Sequence, residues 1–228
     1  VIDSEDGTLI RPLTAGRPGE GTNIAYSPCG EFLIDGTWAG LLAVRAVATG
    51  KIVFQTGFPG EMICQIVPNA DKDTWFILHK PIAISRDVSG APAYVSIWNW
   101  PFTAPAGFLT SPLADLWTLS LSPDGRRICM RGSQEIAIVD IAQKQPVAAR
   151  SLIGGGTGFQ TCWSPDAKEL AIVTDGQVSF HDAGELEVRR TVAIPFASDV
   201  AYSSDGRFVA LGSWQNGMLI DRTTPVAC

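Results

Sequence analysis

LWTLSLSPDGRRICMRGSQEIAIVDIAQKQPVAARSL, residues 116–152, is the stretch from which the fold is read. In Leu116–Ser122 the large apolar residues Trp117, Leu119 and Leu121 alternate with Thr118 and Ser120, the period of a half-buried strand. Ser122-Pro123-Asp124-Gly125 then supplies turn chemistry: proline presets φ, aspartate bonds back to its own backbone, and glycine accepts φ > 0. A second strand is predicted at Arg127–Arg131, with Ile128 and Met130 on one face. Gly132-Ser133 turns the chain, Glu135–Ile141 reads as a third strand, and Val147–Leu152 as a fourth after the polar turn Gln143-Lys144-Gln145. Four short antiparallel strands therefore fit into fewer than forty residues.

The same turn recurs as Ser27-Pro28-Cys29-Gly30, Ser164-Pro165-Asp166-Ala167 and Ser203-Ser204-Asp205-Gly206. The steps are 42 residues from 122 to 164 and 39 from 164 to 203. The 95 residues between 27 and 122 accommodate two repeats if one is enlarged. A weaker copy lies there: Met62–Val67 alternates, Pro68-Asn69-Ala70-Asp71 turns, and Thr74–His79 is the next apolar run. A period near forty with four strands per unit predicts an all-β chain folded as a β-propeller of four-stranded antiparallel blades.

These residues carry a resemblance to the WD-repeat family and its degenerate relatives. In that family a Ser-Pro-Asp-Gly turn follows the first strand, the third ends in Trp-Asp, and a Thr-Gly-Lys turn leads to the fourth. Here the third strands end in Val139-Asp140, His181-Asp182 and Ile220-Asp221, so the aspartate is kept and the tryptophan is not. Ala48-Thr49-Gly50-Lys51 matches the turn into the fourth strand. The Gly-His dipeptide that opens many family repeats is absent, so the buried hydrogen-bond network built on that histidine is expected to be missing. The resemblance covers nearly the whole chain and speaks to fold more than to function, because propellers host both enzymes and scaffolds.

The expected organisation is a single propeller domain or propeller fragment over 1–228, with repeats at about 23–56, 62–110, 116–152, 159–194 and 199–228 and a stray outer strand at 8–14. Thr8–Thr14 would complete the last repeat, whose fourth strand is missing, and so give a ring of five. The chain also opens on Val1 rather than Met and stops where a strand should begin, which is expected of an excerpt from a larger, seven-bladed ring. Lys80–Pro92 is a long connection, and Trp98, Trp100, Phe102 and Phe108 crowd after it. Those aromatics read either as cover for a blade with a short, irregular fourth strand or as an exposed contact site.

Composition narrows the function classes. The 228 residues are 46% hydrophobic, enough for a substantial core, and no run approaches the ~20 apolar residues of a membrane helix. The net charge of −6 and the absence of any basic grouping larger than Arg126-Arg127 or Arg189-Arg190 argue against nucleic acid and anionic membranes as partners. Cys29, Cys64, Cys129, Cys162 and Cys228 form no C-x-x-C pair and no metal-ligand spacing. An odd cysteine count fits a reducing, cytoplasmic setting, with the thiols inside strands acting as small core residues.

No cofactor or metal site and no catalytic constellation is expected. The Gly154-Gly155-Gly156-Thr157-Gly158 run lacks a following Lys-Ser/Thr and precedes a strand, so it reads as a linker between repeats. No G-x-S-x-G elbow occurs, His181 stands at the tryptophan position of its repeat, and His79 is the one histidine worth testing. The expected function is a non-enzymatic WD-repeat-like scaffold that binds protein or peptide partners. The alternative is the propeller domain of a larger hydrolase resembling the prolyl-oligopeptidase group, with its catalytic part outside this chain. In the family, partners dock on the face that carries the second-to-third-strand connections. The residues here that match those connections are Trp38, Lys80, Arg86, Asp87, Arg131, Asp175 and Trp214. Tryptophan and arginine in such a set are what interface hot spots favour.

Overall fold

The computed structural model describes residues 22–69, 73–82, 92–152 and 160–223, and these are all-β with no helix. Among them, accordingly, no helix is long and apolar enough to cross a membrane. The chain divides into two compact units, Val1–Phe108 and Leu109–Cys228.

The first unit holds two four-stranded antiparallel meanders. One runs β1 (Thr22–Tyr26), β2 (Phe32–Thr37), β3 (Leu41–Ala46) and β4 (Ile52–Gly57). The other runs β5 (Glu61–Asn69), β6 (Thr74–Pro81), β7 (Tyr94–Asn99) and β8 (Pro105–Thr110). Ile34, Leu42 and Val44 of the first sheet pack on Ile63, Ile66 and Ile77 of the second. Gly36 permits this approach: a Cβ there would sit 2.4 Å from Ile63 Cγ2. Most of the aromatic crowd is core. Trp98 and Phe102 are buried with centroids 5.4 Å apart, and Trp100 packs on Phe32 at 4.2 Å. Phe108 alone of the four is exposed.

Two expectations change here. Pro68 and Asn69 belong to β5 rather than to a turn. Proline is tolerated there because β5 is the edge strand of its sheet, where a missing N–H breaks no ladder bond. Lys80 likewise lies inside β6, opposite Met62, rather than in the connection that follows.

The second unit holds three sheets. They are β9 (Thr118–Leu121), β10 (Arg127–Arg131), β11 (Glu135–Asp140) and β12 (Gln145–Ser151); then β13 (Thr161–Trp163), β14 (Glu169–Thr174), β15 (Gln177–Asp182) and β16 (Val188–Ala193); then β17 (Ala197–Tyr202), β18 (Phe208–Ser213) and β19 (Gly217–Asp221). Among the described residues the last sheet has three strands where the other four sheets have four. First strands neighbour one another, β13 lying between β9 and β17. Trp163 donates its indole N–H across that seam to Ser120 O at 3.0 Å.

The second and third strands β10, β11, β14 and β15 are buried on both faces, whereas β18 and β19 of the last sheet are not and the fourth strands β4, β12 and β16 are largely exposed. Consecutive residues therefore serve two cores. Ile136 and Ile138 meet Trp163, Leu170 and Ile172, while Ala171, Val173 and Phe180 on the other face of the same middle sheet meet Val200, Val209 and Leu211.

A staple explains why the Ser-x-Asp turn repeats. Ser122, Ser164 and Ser203 each donate Oγ–H to the aspartate two residues on at 2.6 Å. Each hydroxyl oxygen also accepts the backbone N–H five residues on, at 2.9, 2.9 and 2.8 Å. The aspartate in turn accepts the N–H two residues beyond itself, so three polar groups are satisfied within one tight turn. A second recurrence is a register shift at the fourth and fifth residues of the third strand: Val44/Arg45, Ile138/Val139 and Phe180/His181. Such bulges sharpen the twist of the sheet where its outer strand attaches.

Like ends of the three sheets coincide. At one end Gln160 O accepts from Arg131 Nη1 at the end of β10 and from Val173 N near the end of β14. Ile194 N donates to Gly176 O, which carries the β14–β15 turn to the start of β17. At the other end Arg127 donates to Ala183 O at 2.9 Å and Ala167 O at 2.8 Å, and Arg222 pairs with Glu169 at 2.9 Å.

Candidate partner-binding surface

The residues expected on the partner face separate into four groups. Trp38, in the β2–β3 turn, is 55% exposed, and Trp214, in the β18–β19 turn, is 81% exposed. Asp175 is exposed in the β14–β15 turn. Lys80 is half-buried in a strand, and Arg86 and Asp87 lie outside the described residues. Arg131 corrects the expectation outright: it is wholly buried as the last residue of β10, and its guanidinium donates to Gln160 O at 3.4 Å. Burial pushes its pKa down to about 10, still far above neutrality, so it enters the fold as a buried cation. Arg131 thus tethers two sheets instead of facing a partner.

Both histidines are buried, each against a serine. His79 Nε2 lies 2.7 Å from Ser96 Oγ, which also accepts the Trp98 indole N–H at 2.8 Å. His79 Nδ1 lies 3.1 Å from Glu61 Oε2, and Tyr94 donates to that same oxygen at 2.7 Å. Burial pushes the imidazole pKa down despite the upward pull of Glu61, and burial with the adjacent Glu61 pushes the Tyr94 phenol up. Tyr94 stacks on the ring at 4.6 Å and Phe58 meets it edge-on at 4.5 Å. Ser96 and His79 are both 0% exposed, so this serine–histidine pair offers no path to a substrate.

In the second unit Ser179 Oγ lies 2.7 Å from His181 Nε2, and His181 Nδ1 lies 2.9 Å from Leu186 O. A carbonyl only accepts, so Nδ1 carries the proton and Nε2 accepts from the serine. Burial, followed by the charges of Arg150 and Arg131, holds this imidazole below its ordinary pKa; the bond to Leu186 opposes them. Ser96 and Trp98 are the third and fifth residues of β7, and Ser179 and His181 are the third and fifth of β15. His181 therefore does stand where Trp98 stands, each ring nitrogen bonded to the serine hydroxyl two residues before it, but with opposite direction: the Trp98 indole donates to Ser96 and His181 Nε2 accepts from Ser179. A buried network exists without the Gly-His dipeptide, built from within the strands. The signal for it was Ser-x-Trp and Ser-x-His on strands, where residues two apart share a face.

The four described cysteines are unpaired thiols: Cys129 is buried, Cys64 and Cys162 half-buried, and Cys29 exposed. Burial raises the Cys129 pKa to about 12, so it is an inert core residue. Among the described residues no group of three or more His, Cys, Asp and Glu is arranged to hold a metal ion. Each unit carries an exposed tryptophan in a turn between the second and third strands of one of its sheets, Trp38 in the first and Trp214 in the second. No family model matches the sequence, and comparison with curated proteins gives no match either.

Proposed function

We propose that the chain is a propeller-type, WD-like repeat protein acting as a non-enzymatic scaffold, with its second-to-third-strand turns presented to a protein or peptide partner. Three repeated features support blades over unrelated sheets: the Ser-centred turn staple, the bulge at one position of the third strand, and neighbouring first strands. The partition of tryptophan carries the functional half of the proposal. Trp75 and Trp98 are 1% exposed and Trp163 is 5%, whereas the turn residues Trp38 and Trp214 are 55% and 81% exposed. Leaving a large aromatic in water forgoes roughly 1.5–3 kcal/mol of burial, and a contact supplied by a partner recovers it.

The test is capture of partners by Trp38→Ala, Trp214→Ala and the double variant, read beside thermal melting. Loss of capture with an unchanged melting transition is the expected result. Unchanged capture rejects the turns as the binding surface, and a collapsed transition shows the indoles to be structural.

A further inference from the structure

The two ends of the second unit differ in both charge and exposed surface. The end bearing the β11, β15 and β19 starts carries Trp214, Phe196 and Trp117 at 81%, 61% and 44% exposure. Ala197 faces Ser213 in register, so Phe196 and Trp214 flank the same residue pair. Phe196 holds a left-handed backbone (φ 57°) that a bulky side chain rarely adopts, and it does so without gaining burial. Trp117 donates its indole N–H to Asp115 Oδ2 at 2.5 Å. Asp115, Ser133, Glu135 and Leu152 border a cavity of about 320 Å³ beside it.

The charge at this end has one sign. Glu135, Asp175 and Asp199 are exposed and Asp115 is half-buried. Among the described residues the basic side chains nearby are Arg131, wholly buried, and Arg150, whose guanidinium reaches away to Leu186 O at 3.0 Å. The opposite end is mixed and matched, with Arg207–Asp221, Arg222–Glu169 and Arg189–Asp182 pairs. An aromatic surface set among carboxylates is complementary to one kind of occupant: a flexible cation with apolar stems, whose charge faces the ring quadrupoles and the acids together.

We infer that this end of the second unit docks a protein segment rich in arginine and lysine, held on Trp117, Phe196 and Trp214 and neutralised by Asp115, Glu135, Asp175 and Asp199. The inference rests on the scaffold reading and adds the class of partner. Aromatics fix the register of such a segment, and the carboxylates raise its on-rate and exclude acidic competitors.

Fluorescence anisotropy on the full chain tests it, with a labelled Arg/Lys/Gly peptide as probe and the same peptide bearing Glu at every basic position as control. The basic peptide should bind, more weakly as salt rises, and the acidic one should not. Glu135→Lys/Asp175→Lys should cost at least about tenfold in affinity, as should Phe196→Ala/Trp214→Ala. Asp140→Lys/Glu185→Lys, at the opposite end, should leave affinity unchanged. Should Glu135→Lys/Asp175→Lys disturb melting, Glu135→Gln/Asp175→Asn carries the same sign of effect. Equal binding of both peptides, or indifference to charge reversal, overturns the inference. Sensitivity to charge without sensitivity to the aromatics shows diffuse attraction and overturns it too. If Trp214→Ala abolishes partner capture while the basic peptide fails to bind, the scaffold reading stands and only the cationic assignment falls.

Discussion

His181 donates Nδ1–H to the carbonyl of Leu186, and this single bond fixes its tautomer and with it the role of Ser179. Protonating Nε2 would remove the acceptor that the serine hydroxyl uses, in a place the ring cannot leave. His79 is enclosed just as fully against Ser96.

Both imidazoles, the only two in the chain, have folded pKa values below the ordinary 6.5 because burial disfavours their charged form. The unfolded chain therefore binds protons that the folded one refuses, and stability falls as pH drops below about 6.5. The loss continues down to each folded pKa, with a slope of up to about 1.4 kcal/mol per pH unit per histidine. The stapled aspartates Asp124, Asp166 and Asp205, also lowered, contribute stability above their ordinary 3.8 that is lost at still lower pH. Urea midpoints measured between about pH 8 and 5 should decline for the native sequence and decline less for His181→Gln. A flat profile would remove the argument from burial.

Asp35 and Arg45, on β2 and β3, form an ion pair at 2.5 Å with both side chains almost wholly buried. Removing one partner leaves a desolvated charge, so Asp35→Ala should cost about 3–5 kcal/mol. The paired replacement Asp35→Leu/Arg45→Met should recover most of that, since two apolar groups of similar size need no partner. Denaturant unfolding of the three variants decides; equal losses in the single and double variants would show that the pair is worth more than its desolvation.

The fourth residue of the Ser-x-x-x turn adopts a left-handed backbone in four repeats, as Gly30, Gly125, Ala167 and Gly206 at φ 73°, 64°, 56° and 71°. Ala167 is the exception, and its Cβ is strained there. Ala167→Gly should stabilise by about 1 kcal/mol, and Gly206→Ala, whose new Cβ would meet nothing closer than 3.5 Å, should destabilise by about as much. A shift of melting temperature in the same direction for both would contradict the turn assignment.

The repeat was legible because it is written in turns. Ser122, Ser164 and Ser203 bond only to neighbours within five residues, so spacing alone locates them. Strand interiors were less legible. Alternation puts Ile128 and Met130 on one face and says nothing of the other, where Cys129, expected in the core as a strand thiol, lies; all three are 0% exposed because both faces of β10 are covered. Arg131 was misplaced for a related reason. Arg-Gly-Ser reads as a solvated turn, and nothing local shows that the carbonyl of Gln160, 29 residues on, waits to receive the guanidinium. That Trp38, Asp175 and Trp214 lie exposed in turns is legible locally, because two-residue or three-residue turns leave a side chain nowhere to hide.

The sheet β13–β16 is clasped on both faces, by Ile136 and Ile138 on one side and by Val200, Val209 and Leu211 on the other. Its neighbours each share only one such seam with it inside this unit. Unravelling that begins at an outer sheet exposes one seam, whereas opening the middle exposes two. Amide hydrogens of Leu170–Val173 should therefore exchange with solvent more slowly than those of β18 or β10, and the middle sheet would be the last part of the unit to surrender its protection.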